Sequence, residues 1–411
     1  MKIIIVNDYA SVQGGSAQVA VASAKGLADA GHKITFVYGT GEVDPLLDHK
    51  NITLIDLRQY DLLSNPSRVN AVMTGIWNRS VERQISEVLD TFEQEETIVH
   101  LHSWVKALSA SAVSTIVKKK FPMVLTLHDY FTVCPNGGLY NYQSESACQL
   151  EPMSLSCLAS NCDMRSYPQK LWRYLRQTVY AKAGIPGGIN HFISVSKFSK
   201  DILAPYLPDD ARFWDVPNPI DIPSEEIADP EASDTFTFIG RLSPEKGATL
   251  FADAGARLGI TARFVGSGDM ASEIKRLDKD AILTGWSDRS DVIRYIKDSR
   301  AIVFPSQLFE TQGMVVTEAA ALGVPAIVSD TSAASDNIID GKTGLLFKTG
   351  DTEELMQKIK LLSEDAALAK EMGQNAYRRY WEDPNDMQSH LNALMRCYEA
   401  ILNDHKTERQ V

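Results

Sequence analysis

The stretch PSQLFETQGMVVTEAAALGVPAIVSD, from Pro305 to Asp330, follows one apolar run, contains an Ala-rich segment and closes on another apolar run. An apolar run, a helix and a second apolar run in this order form the repeating unit of parallel α/β sheets. Glu310 and Glu318 lie on either side of Gly313, close to where the helix is predicted to begin. Helix starts favour acids, which accounts for Glu310. Neither Gly313, a poor helix former, nor Glu318, inside the helix, is explained in this way.

The same alternation of apolar runs and helical segments continues through the whole chain. Strands separated by helices of this length predict an α/β fold with two parallel, doubly wound sheets, each Rossmann-like. Helices are predicted at SAQVAVASAKGLADA and SWVKALSASAVSTIVKKK. The predicted strands are KIIIVN, HKITFVYG, ITLIDL, TIVHLH, MVLTLH, HFISVS and RFWDVP, then DTFTFIG, TARFVGSG, AILTGW, RAIVFPS, PAIVSD and GLLF.

A chain of 411 residues is long enough for two domains of about 200 residues each. The segment from Val216 to Asp234 is rich in Pro, Asp and Glu and reads as a linker. We therefore expect an N-terminal domain over 1–216 and a C-terminal domain over 217–382. A final helix over 383–411 is expected to pack back on the first domain.

Composition narrows the class of protein. Hydrophobic residues make up 44% and charged residues 23%, as in ordinary globular proteins. The net charge of −12 argues against nucleic-acid binding. No apolar run is long enough for a signal sequence or a transmembrane helix, so a cytoplasmic location is expected, peripheral on the inner face of the plasma membrane.

One basic segment stands out in this acidic chain. From Met164 to Lys200 there are seven basic residues and no acidic one, mixed with tryptophan and tyrosine. This mixture suits a surface that faces an anionic membrane or a diphosphate lipid. The alternative is a solvated helix face with an aromatic side in the core.

Four of the five cysteines crowd a segment over about 131–165 that looks like an insertion. Their spacing is C-x13-C-x8-C-x4-C, and only the last gap resembles a usual zinc pair. A structural zinc is one interpretation, and a set of small buried side chains is the other. The four are Cys134, Cys148, Cys157 and Cys162.

In open α/β sheets ligands bind beyond the carboxyl ends of the strands, so the residues that follow strands are the candidates. Arg241 and Lys246 follow the strand DTFTFIG, where two cations beside free helix-start amides suit a diphosphate. The alternative is a pair of surface charges. Glu310 and Glu318 can each accept hydrogen bonds from the vicinal hydroxyls of a sugar or a ribose.

Glycines at other strand ends suit close approach of a phosphate or sugar, and Gly266 and Gly268 also read as a strand-to-helix turn. Gly313 would let the chain pass close to a ligand, with the amides of Met314 and Val315 directed at it. Asp278-Lys279-Asp280 lies before a strand and reads as a charged turn, so no catalytic metal is expected.

Taken in order, these residues resemble the retaining nucleotide-sugar glycosyltransferases of the GT-B fold, in particular glycosyltransferase family 4 (glycosyl transferases group 1). The resemblance covers nearly the whole chain. It rests on Gly14-Gly15, His128-Asp129, VSKFSKD at 195–201, VPNPID at 216–221, GRLSPEKG at 240–247, VGSG at 265–268, the pair Glu310 and Glu318, and DGKTGLLF at 340–347.

The resemblance implies a hexosyl- or related glycosyltransferase, with roles for four catalytic residues. Arg241 and Lys246 match the pair that holds the donor diphosphate, and Glu310 matches the acid on the donor sugar. His128 matches the histidine near the reacting carbon. The family has no clear protein nucleophile, so the departing diphosphate is expected to help deprotonate the acceptor, with no cofactor required.

The resemblance also implies that the domain over 1–216 is the acceptor-side domain and that the domain over 217–382 binds the nucleotide sugar. Glu318 matches the acid on the nucleotide ribose, and the base usually meets backbone at Thr284, Gly285 and Trp286. The expected partners are a nucleotide-diphosphate sugar, with UDP-sugars favoured, and a glycan or lipid-linked acceptor in bacterial surface polysaccharide synthesis. The remaining donor-side positions are Gly15, Gly240, Gly266, Gly268, Gly313, Met314 and Val315.

One departure from the family and two other functions are weighed. The family often has Pro-Phe-Gly or Gly-Phe-Gly after the first acid, whereas this chain has Thr311-Gln312-Gly313. An epimerase or hydrolase of nucleotide sugars on the same fold would release sugar without an acceptor. A non-enzymatic sugar-binding protein of the periplasmic type would carry an export signal and would have no use for a diphosphate clamp.

Overall fold

The computed structural model of the chain describes residues 1–12, 14–222 and 227–408. Part of the predicted linker, residues 223–226, and the final residues 409–411 lie outside the described ranges. Among the described residues, no helix is both long and apolar enough to cross a membrane.

The first domain is built on a seven-stranded parallel sheet with the strand order β3-β2-β1-β4-β5-β8-β9. All seven strands predicted in this half are present. The inner strand β1 is buried on both faces, as expected when helices cover a parallel sheet. The strands are β1 Lys2–Tyr9, β2 Ile34–Thr40, β3 Ile52–Asp56, β4 Thr97–Leu101, β5 Met123–Thr126, β8 His191–Ser194 and β9 Arg212–Asp215.

The second domain is built on a six-stranded parallel sheet with the order β12-β11-β10-β13-β14-β15. The six predicted strands are again present, which confirms the prediction of two doubly wound sheets. They are β10 Thr235–Ile239, β11 Thr261–Val265, β12 Ile282–Gly285, β13 Ala301–Phe304, β14 Ala326–Ser329 and β15 Gly344–Phe347.

Helices cover both faces of each sheet. The helix predicted over 103–120 is shorter in the structure, because Ser109 has a φ of 63° and caps a helix that begins only at Ala110. The helices are α1 Gly15–Asp29, α2 Arg68–Ile76, α3 Arg79–Leu89, α4 Ala110–Lys118, α5 Leu155–Ala159, α6 Tyr167–Lys182, α7 Lys197–Leu203, α8 Ala248–Leu258, α9 Ala271–Leu277, α10 Arg289–Lys297, α11 Met314–Leu322, α12 Thr352–Glu364, α13 Ala366–Glu382 and α14 Met387–Glu408.

The final helix, α14, belongs to the second domain in sequence but packs on the first. Its Tyr398 is buried and its hydroxyl lies 2.6 Å from His100 Nδ1 on β4. Its His390 lies 2.9 Å from Ser23 Oγ on α1. These contacts join the end of the chain to the core of the first domain.

The cysteine-bearing insertion follows β5 and carries a short antiparallel pair, β6 Tyr140–Asn141 and β7 Ser146–Ala147. It reaches the second domain, because a Cβ placed on Gly138 would lie 3.3 Å from Leu308. The insertion therefore forms part of the wall of the cleft between the two domains.

Candidate active site

The loop between β13 and α11 crosses from the second domain to the first. Phe309 packs against Phe198, with the ring centroids 5.9 Å apart. Thr311 Oγ1 donates a hydrogen bond of 3.1 Å to the carbonyl oxygen of His128. Gln312 is buried and its Oε1 accepts from the backbone N–H of Asn218 at 3.0 Å. Of the residues at which the chain departs from the family, Thr311 thus contacts the first domain and Gln312 contacts the predicted linker.

Gly313 ends this loop and starts α11. Its φ of 73° lies in the left-handed region, and a Cβ at this position would lie only 2.5 Å from Ala334 Cβ. Both facts require glycine here, independently of any ligand. The amides of Met314 and Val315 follow in the first helical turn, where backbone N–H groups have no acceptor within the helix.

Glu310 is held in place by two donors. Lys246 Nζ donates to Glu310 Oε1 at 2.5 Å, and Ser306 Oγ donates to the same oxygen at 2.7 Å. The side chain is only 13% exposed. The structure therefore brings together two predicted catalytic residues, Lys246 and Glu310, which are far apart in sequence.

Glu318 is paired with a cation that the sequence analysis missed. Arg289 Nη1 donates to Glu318 Oε1 at 2.5 Å, and Arg289 Nη2 donates to the carbonyl oxygen of Asp221 at 3.3 Å. Arg289 is the first residue of α10, where the helix dipole disfavours a cation. A cation at a predicted helix start, three residues after Trp286, is the feature of the sequence that could have identified Arg289.

Arg241 lies at the carboxyl end of β10 with its side chain 66% exposed. Its Nη2 donates to Glu245 Oε1 at 2.7 Å, and Ser243 Oγ donates to the same oxygen at 2.8 Å. Glu245 is buried, and its second oxygen has no hydrogen-bond partner among the described residues. The buried Glu245, also missed in the sequence, therefore orients a guanidinium that is otherwise largely exposed.

His128 lies at the carboxyl end of β5. Its Nε2 is 2.9 Å from Nδ1 of the buried His102, and the two rings are stacked. Burial, and secondarily the nearby His390, lowers the pKa of His128 to about 3. The imidazole is therefore neutral at physiological pH and cannot serve as a general acid there.

The segment predicted to meet the base spans the end of β12. Gly285 has a φ of 75°, and its carbonyl oxygen accepts from the N–H of Gly266 at 2.9 Å. Thr284 Oγ1 donates to the same carbonyl oxygen at 3.0 Å. Trp286 is 79% exposed. Its indole is therefore open to solvent beside this backbone turn.

The two glycines after β11 are required by contacts within the protein. A Cβ on Gly266 would lie 2.0 Å from the carbonyl oxygen of Gly240, and one on Gly268 would lie 2.2 Å from that of Leu242. The close approach predicted for a ligand is made here by the neighbouring loop. A Cβ on Gly15, by contrast, would meet no atom within 4 Å, so the start of α1 is open.

The cysteine cluster surrounds a lysine. Lys170 is fully buried, and its Nζ donates to Cys157 Sγ at 3.2 Å and to the thiol of Cys162. Cys134 lies beside the same ammonium, whereas Cys148 is half-buried. Across the described ranges, no group of three or more His, Cys, Asp and Glu side chains is placed to hold a metal ion. An ammonium at the centre of the thiols does not fit a zinc site.

The basic segment 164–200 is not a uniform charged surface. Lys170 and Arg176 are buried, and Arg176 donates to the carbonyl oxygen of Pro135 at 3.2 Å. Arg173 pairs with the buried Asp163 at 3.0 Å. Three of the seven cations therefore stabilise the protein from within and are not available to a membrane surface.

Comparison with known families identifies the chain. The model of Glycosyltransferase Family 4 matches residues 13–223, about half of the chain, and that of Glycosyl transferases group 1 matches residues 221–379. The chain belongs to glycosyltransferase family 4. It is a glycosyltransferase with the GT-B fold, as the resemblance predicted.

Solved structures share the fold over almost the entire chain. HepE of Anabaena, solved with UDP, covers 97% of this chain and 100% of its own, with a TM-score of 0.67 at 16% identity. Sucrose-phosphate synthase of Thermosynechococcus elongatus covers 98% and 99%, with a TM-score of 0.70 at 16% identity. At these identities the likeness shows the fold alone.

Curated relatives match over shorter segments. A capsular polysaccharide biosynthesis glycosyltransferase, CapM of Staphylococcus aureus, is 34% identical over 90 residues, 22% of this chain and 23% of that protein. The UDP-Gal:α-D-GlcNAc-diphosphoundecaprenol α-1,3-galactosyltransferase of Escherichia coli is 27% identical over 147 residues, 32% of this chain and 37% of that protein. The chain thus matches well under half of the length of either relative.

Proposed function

We propose that this glycosyltransferase moves a sugar from a nucleotide diphosphate to a glycan or lipid-linked acceptor with retention of anomeric configuration. The observation that carries the proposal is the contact of Lys246 with Glu310 at 2.5 Å, in the loop that also carries the exposed guanidinium of Arg241. Two cations and a hydroxyl-binding acid in one cleft match the two ends of a sugar diphosphate.

The two cations, Arg241 and Lys246, are proposed to stabilise the leaving diphosphate. As the bond between the sugar and the diphosphate breaks, negative charge grows on the leaving oxygen, and fixed cations in a partly dry cleft stabilise it. Arg241 is oriented for this by Glu245, and Lys246 by Glu310. In the bound state Glu310 accepts from sugar hydroxyls and Glu318 from the ribose, with Arg289 holding the Glu318 carboxylate in position.

Retention follows a front-face course in this proposal. The sugar carbon loses its bond to the diphosphate oxygen and forms one to the acceptor oxygen on the same face, while the acceptor proton passes to the diphosphate. His128 is neutral, so it contributes hydrogen bonds and not a proton. Its carbonyl oxygen is fixed by Thr311, which aligns the first domain with the donor site.

A UDP-sugar is the proposed donor. HepE, which shares the fold, was solved with UDP and with UDP-glucose, and the Escherichia coli relative is named for UDP-Gal. A GDP-mannose-dependent relative from Corynebacterium glutamicum is 33% identical over 119 residues, so guanosine is the competing base. Since backbone around Gly285 is expected to read the base, side chains do not separate the two.

The proposed acceptor is a growing glycan on a lipid carrier in surface polysaccharide synthesis. CapM is named for capsular polysaccharide, and the Escherichia coli relative for a diphosphoundecaprenol acceptor. Such an acceptor requires the enzyme to work at a membrane surface.

The first domain offers a face for that contact. Helices α2 and α6 lie side by side, with Trp172 Nε1 donating to the carbonyl oxygen of Val72 at 3.3 Å. Large apolar side chains point outward from both helices and the preceding loop, and Val69 is 75% exposed. They are Leu63, Val69, Val72, Met73, Leu171 and Leu175.

We propose that this α2–α6 face contacts an anionic bilayer. Neither helix contains an acidic residue, and exposed Arg68 and Lys182 lie at the ends of the two helices. Exposed aliphatic side chains bordered by cations complement an anionic lipid interface. The contact thus relies on aliphatic side chains, with fewer cations than the sequence suggested.

Vesicle flotation tests this face. Wild type is expected to bind phosphatidylglycerol vesicles, more weakly at high salt because exposed charges are screened. Met73→Ser with Leu175→Ser should lower the bound fraction several-fold, whereas Leu361→Ser, at an exposed leucine of α12, should not. No binding to these vesicles, or a concentration-dependent dimer lost in the double variant, would contradict a bilayer contact.

A thermal-shift panel of UDP, GDP, ADP and their sugars tests the function. A nucleotide at 100 times its dissociation constant stabilises by about 2.7 kcal/mol, which gives a readable shift of the melting temperature. We expect UDP and UDP-sugars to give it, with the shift lost in Lys246→Ala and kept in the exposed control Lys279→Ala. A panel without any shift would overturn the nucleotide-sugar assignment.

A further inference from the structure

Three histidine rings lie one on another where β4 and β5 end. His100 belongs to β4, His102 directly follows that strand, and His128 comes shortly after β5. The ring centroids of His100 and His102 are 4.0 Å apart, and those of His102 and His128 are 5.2 Å apart. His100 and His102 are buried, whereas His128 is half-buried. His128 is therefore the outer end of a column whose other two rings lie in the core.

The inner end of this column is fixed in orientation. His100 Nδ1 lies 2.6 Å from the hydroxyl of Tyr398 on α14, and His100 Nε2 lies 2.6 Å from Thr126 Oγ1. Both nitrogens of His100 are thus engaged, so the ring cannot turn without losing a hydrogen bond. The face that packs against His102 is therefore held in place by two different elements of the fold.

A single hydrogen bond joins His102 to His128. His102 Nδ1 lies 2.9 Å from His128 Nε2. A hydrogen bond between two imidazole nitrogens needs an N–H on one of them and a lone pair on the other. Burial lowers the pKa of His102 well below its ordinary value and that of His128 to about 3, so both rings are neutral. Because a neutral ring carries one proton, the direction of this hydrogen bond fixes the protonation of all four nitrogens.

The second nitrogen of His102 decides the direction. His102 Nε2 is buried and has no hydrogen-bond partner among the described residues. Besides burial, the groups that influence the pKa of His102 in the described part of the chain are His100, His128 and His390, with no carboxylate that could attract an N–H. Orphaned buried N–H groups are rarer in proteins than acceptors with a spare lone pair. The bare nitrogen of His102 is therefore Nε2, and its proton is on Nδ1.

We propose that His102 is a positioning residue that sets the tautomer of His128. His102 donates from Nδ1 to Nε2 of His128, so His128 carries its own proton on Nδ1 and donates from there to an oxygen of the bound nucleotide sugar. The proposal rests on the function proposed above, since it needs a nucleotide sugar beside His128.

This tautomer gives the two domains complementary roles towards the donor. The carboxylate of Glu310 in the second domain only accepts hydrogen bonds, whereas an Nδ1–H of His128 in the first domain donates one. A sugar hydroxyl can use both groups, because it is a donor and an acceptor. An oxygen without a hydrogen, such as a ring oxygen or a phosphate oxygen, can bind His128 only in the proposed tautomer.

Long-range ¹H–¹⁵N NMR of the enzyme labelled with ¹⁵N-histidine reads the tautomers directly, because protonated and bare ring nitrogens give separate signals. Wild type without ligand should show Nδ1–H for both rings, assigned through the signals lost in His128→Asn and His102→Leu. His102→Asn places an amide N–H near the position of Nδ1, so His128 should keep its tautomer. His102→Leu should release it. His32→Gln, at a half-buried histidine between α1 and β2, is the matched control and should change neither ring.

UDP release from UDP-glucose, UDP-galactose and UDP-N-acetylglucosamine gives the functional readout. His102→Leu should lower turnover of the sugar that wild type uses by about 10-fold, the effect expected for one hydrogen bond, and His102→Asn should lose less. The melting shift induced by UDP should be equal in these proteins, because the nucleotide is proposed to bind the second domain.

Three outcomes would overturn the assignment. They are a wild-type His128 protonated on Nε2, a His128 tautomer that is unchanged in His102→Leu, and measurable turnover that is equal in wild type and His102→Leu. If His102→Leu does not fold, the wild-type spectrum and His102→Asn decide. Failure of the proposed function looks different, because the nucleotides then give no melting shift while the tautomers, read without ligand, are those proposed.

Discussion

Replacing Asp129 by asparagine removes a carboxylate whose ionisation opposes folding. Burial is the main cause that raises the pKa of Asp129 from 3.8 to about 6, against smaller lowering effects of the Phe131 amide and Lys106. The pKa of Asp129 is higher in the folded protein than in the unfolded chain. Its contribution to stability is therefore fully present below pH 3.8 and is lost as the pH rises through about 6.

The size of the effect follows from the shift. One pKa unit corresponds to about 1.4 kcal/mol, so the ionised side chain lowers the free energy of unfolding by about 3 kcal/mol at about pH 8 and by about half of that at about pH 5. Asparagine lacks this term while it keeps the acceptor for the Phe131 amide. The variant is therefore expected to be the more stable protein, and its advantage should grow with pH.

Urea unfolding of wild type and Asp129→Asn, side by side from about pH 5 to about pH 8, measures the difference. The gap between the two free energies of unfolding should widen by about 1.5 kcal/mol over this range. A gap that stays constant would show that Asp129 ionises normally, and a gap that narrows would show that its charge is stabilised in the folded protein.

Three further predictions concern other parts of the molecule. Arg241→Ala and Lys246→Ala should each lower turnover by about 100-fold or more in a coupled assay of UDP release, with little change in melting temperature. The reason is that each substitution removes a cation that stabilises the charge developing on the leaving diphosphate. Near-normal turnover in both variants would contradict the assignment of these two residues to the diphosphate. Burial lowers the pKa of His128 to about 3 and that of His390 to about 4. As pH falls below 6.5, these two histidines are therefore protonated in the unfolded chain before they are protonated in the folded protein. Each histidine should lower the free energy of unfolding by about 1.5 kcal/mol between about pH 6.5 and about pH 5, which a falling melting temperature would show. Because the ammonium of Lys170 lies among the thiols, a chelator should leave the melting temperature unchanged, and elemental analysis that finds one zinc per chain would contradict this arrangement.

The strands and the nucleotide-side acids could be predicted because their signals are local. An apolar run of four to six residues before a Gly- or Ser-containing turn predicts a strand end whatever its neighbours, and Glu310 and Glu318 have a fixed spacing on either side of Gly313. The general placement of Arg241 and Lys246 follows in the same way from the end of β10.

The pairings could not be predicted, because they join distant elements. Glu318 meets Arg289 only when α10 and α11 pack together, 29 positions apart in the chain. Composition also misassigned Lys170 of α6, since the thiols that surround its ammonium come from the insertion that precedes this helix. Such partners decide which cation of a basic helix is buried. The periodicity of the helix sequence carries no information about them.

Tight glycines show a related limit. Gly266 signals that something approaches the backbone closely, but the sequence does not say whether a ligand or a neighbouring loop does so. In the structure the carbonyl oxygen of Gly240 takes this place. A glycine at a strand end therefore locates a close contact without identifying the partner.

The most direct test of sugar transfer is a single reaction followed by mass spectrometry. The purified enzyme is incubated with UDP-glucose, UDP-galactose, UDP-N-acetylglucosamine or GDP-mannose and a bacterial extract of polyprenyl-diphosphate glycolipids. One UDP-sugar is expected to add the mass of one sugar to a glycolipid, with equimolar release of UDP that Lys246→Ala abolishes and Lys279→Ala does not. Donor cleavage to free sugar without any glycolipid product, or product formation that survives Lys246→Ala, would contradict the account.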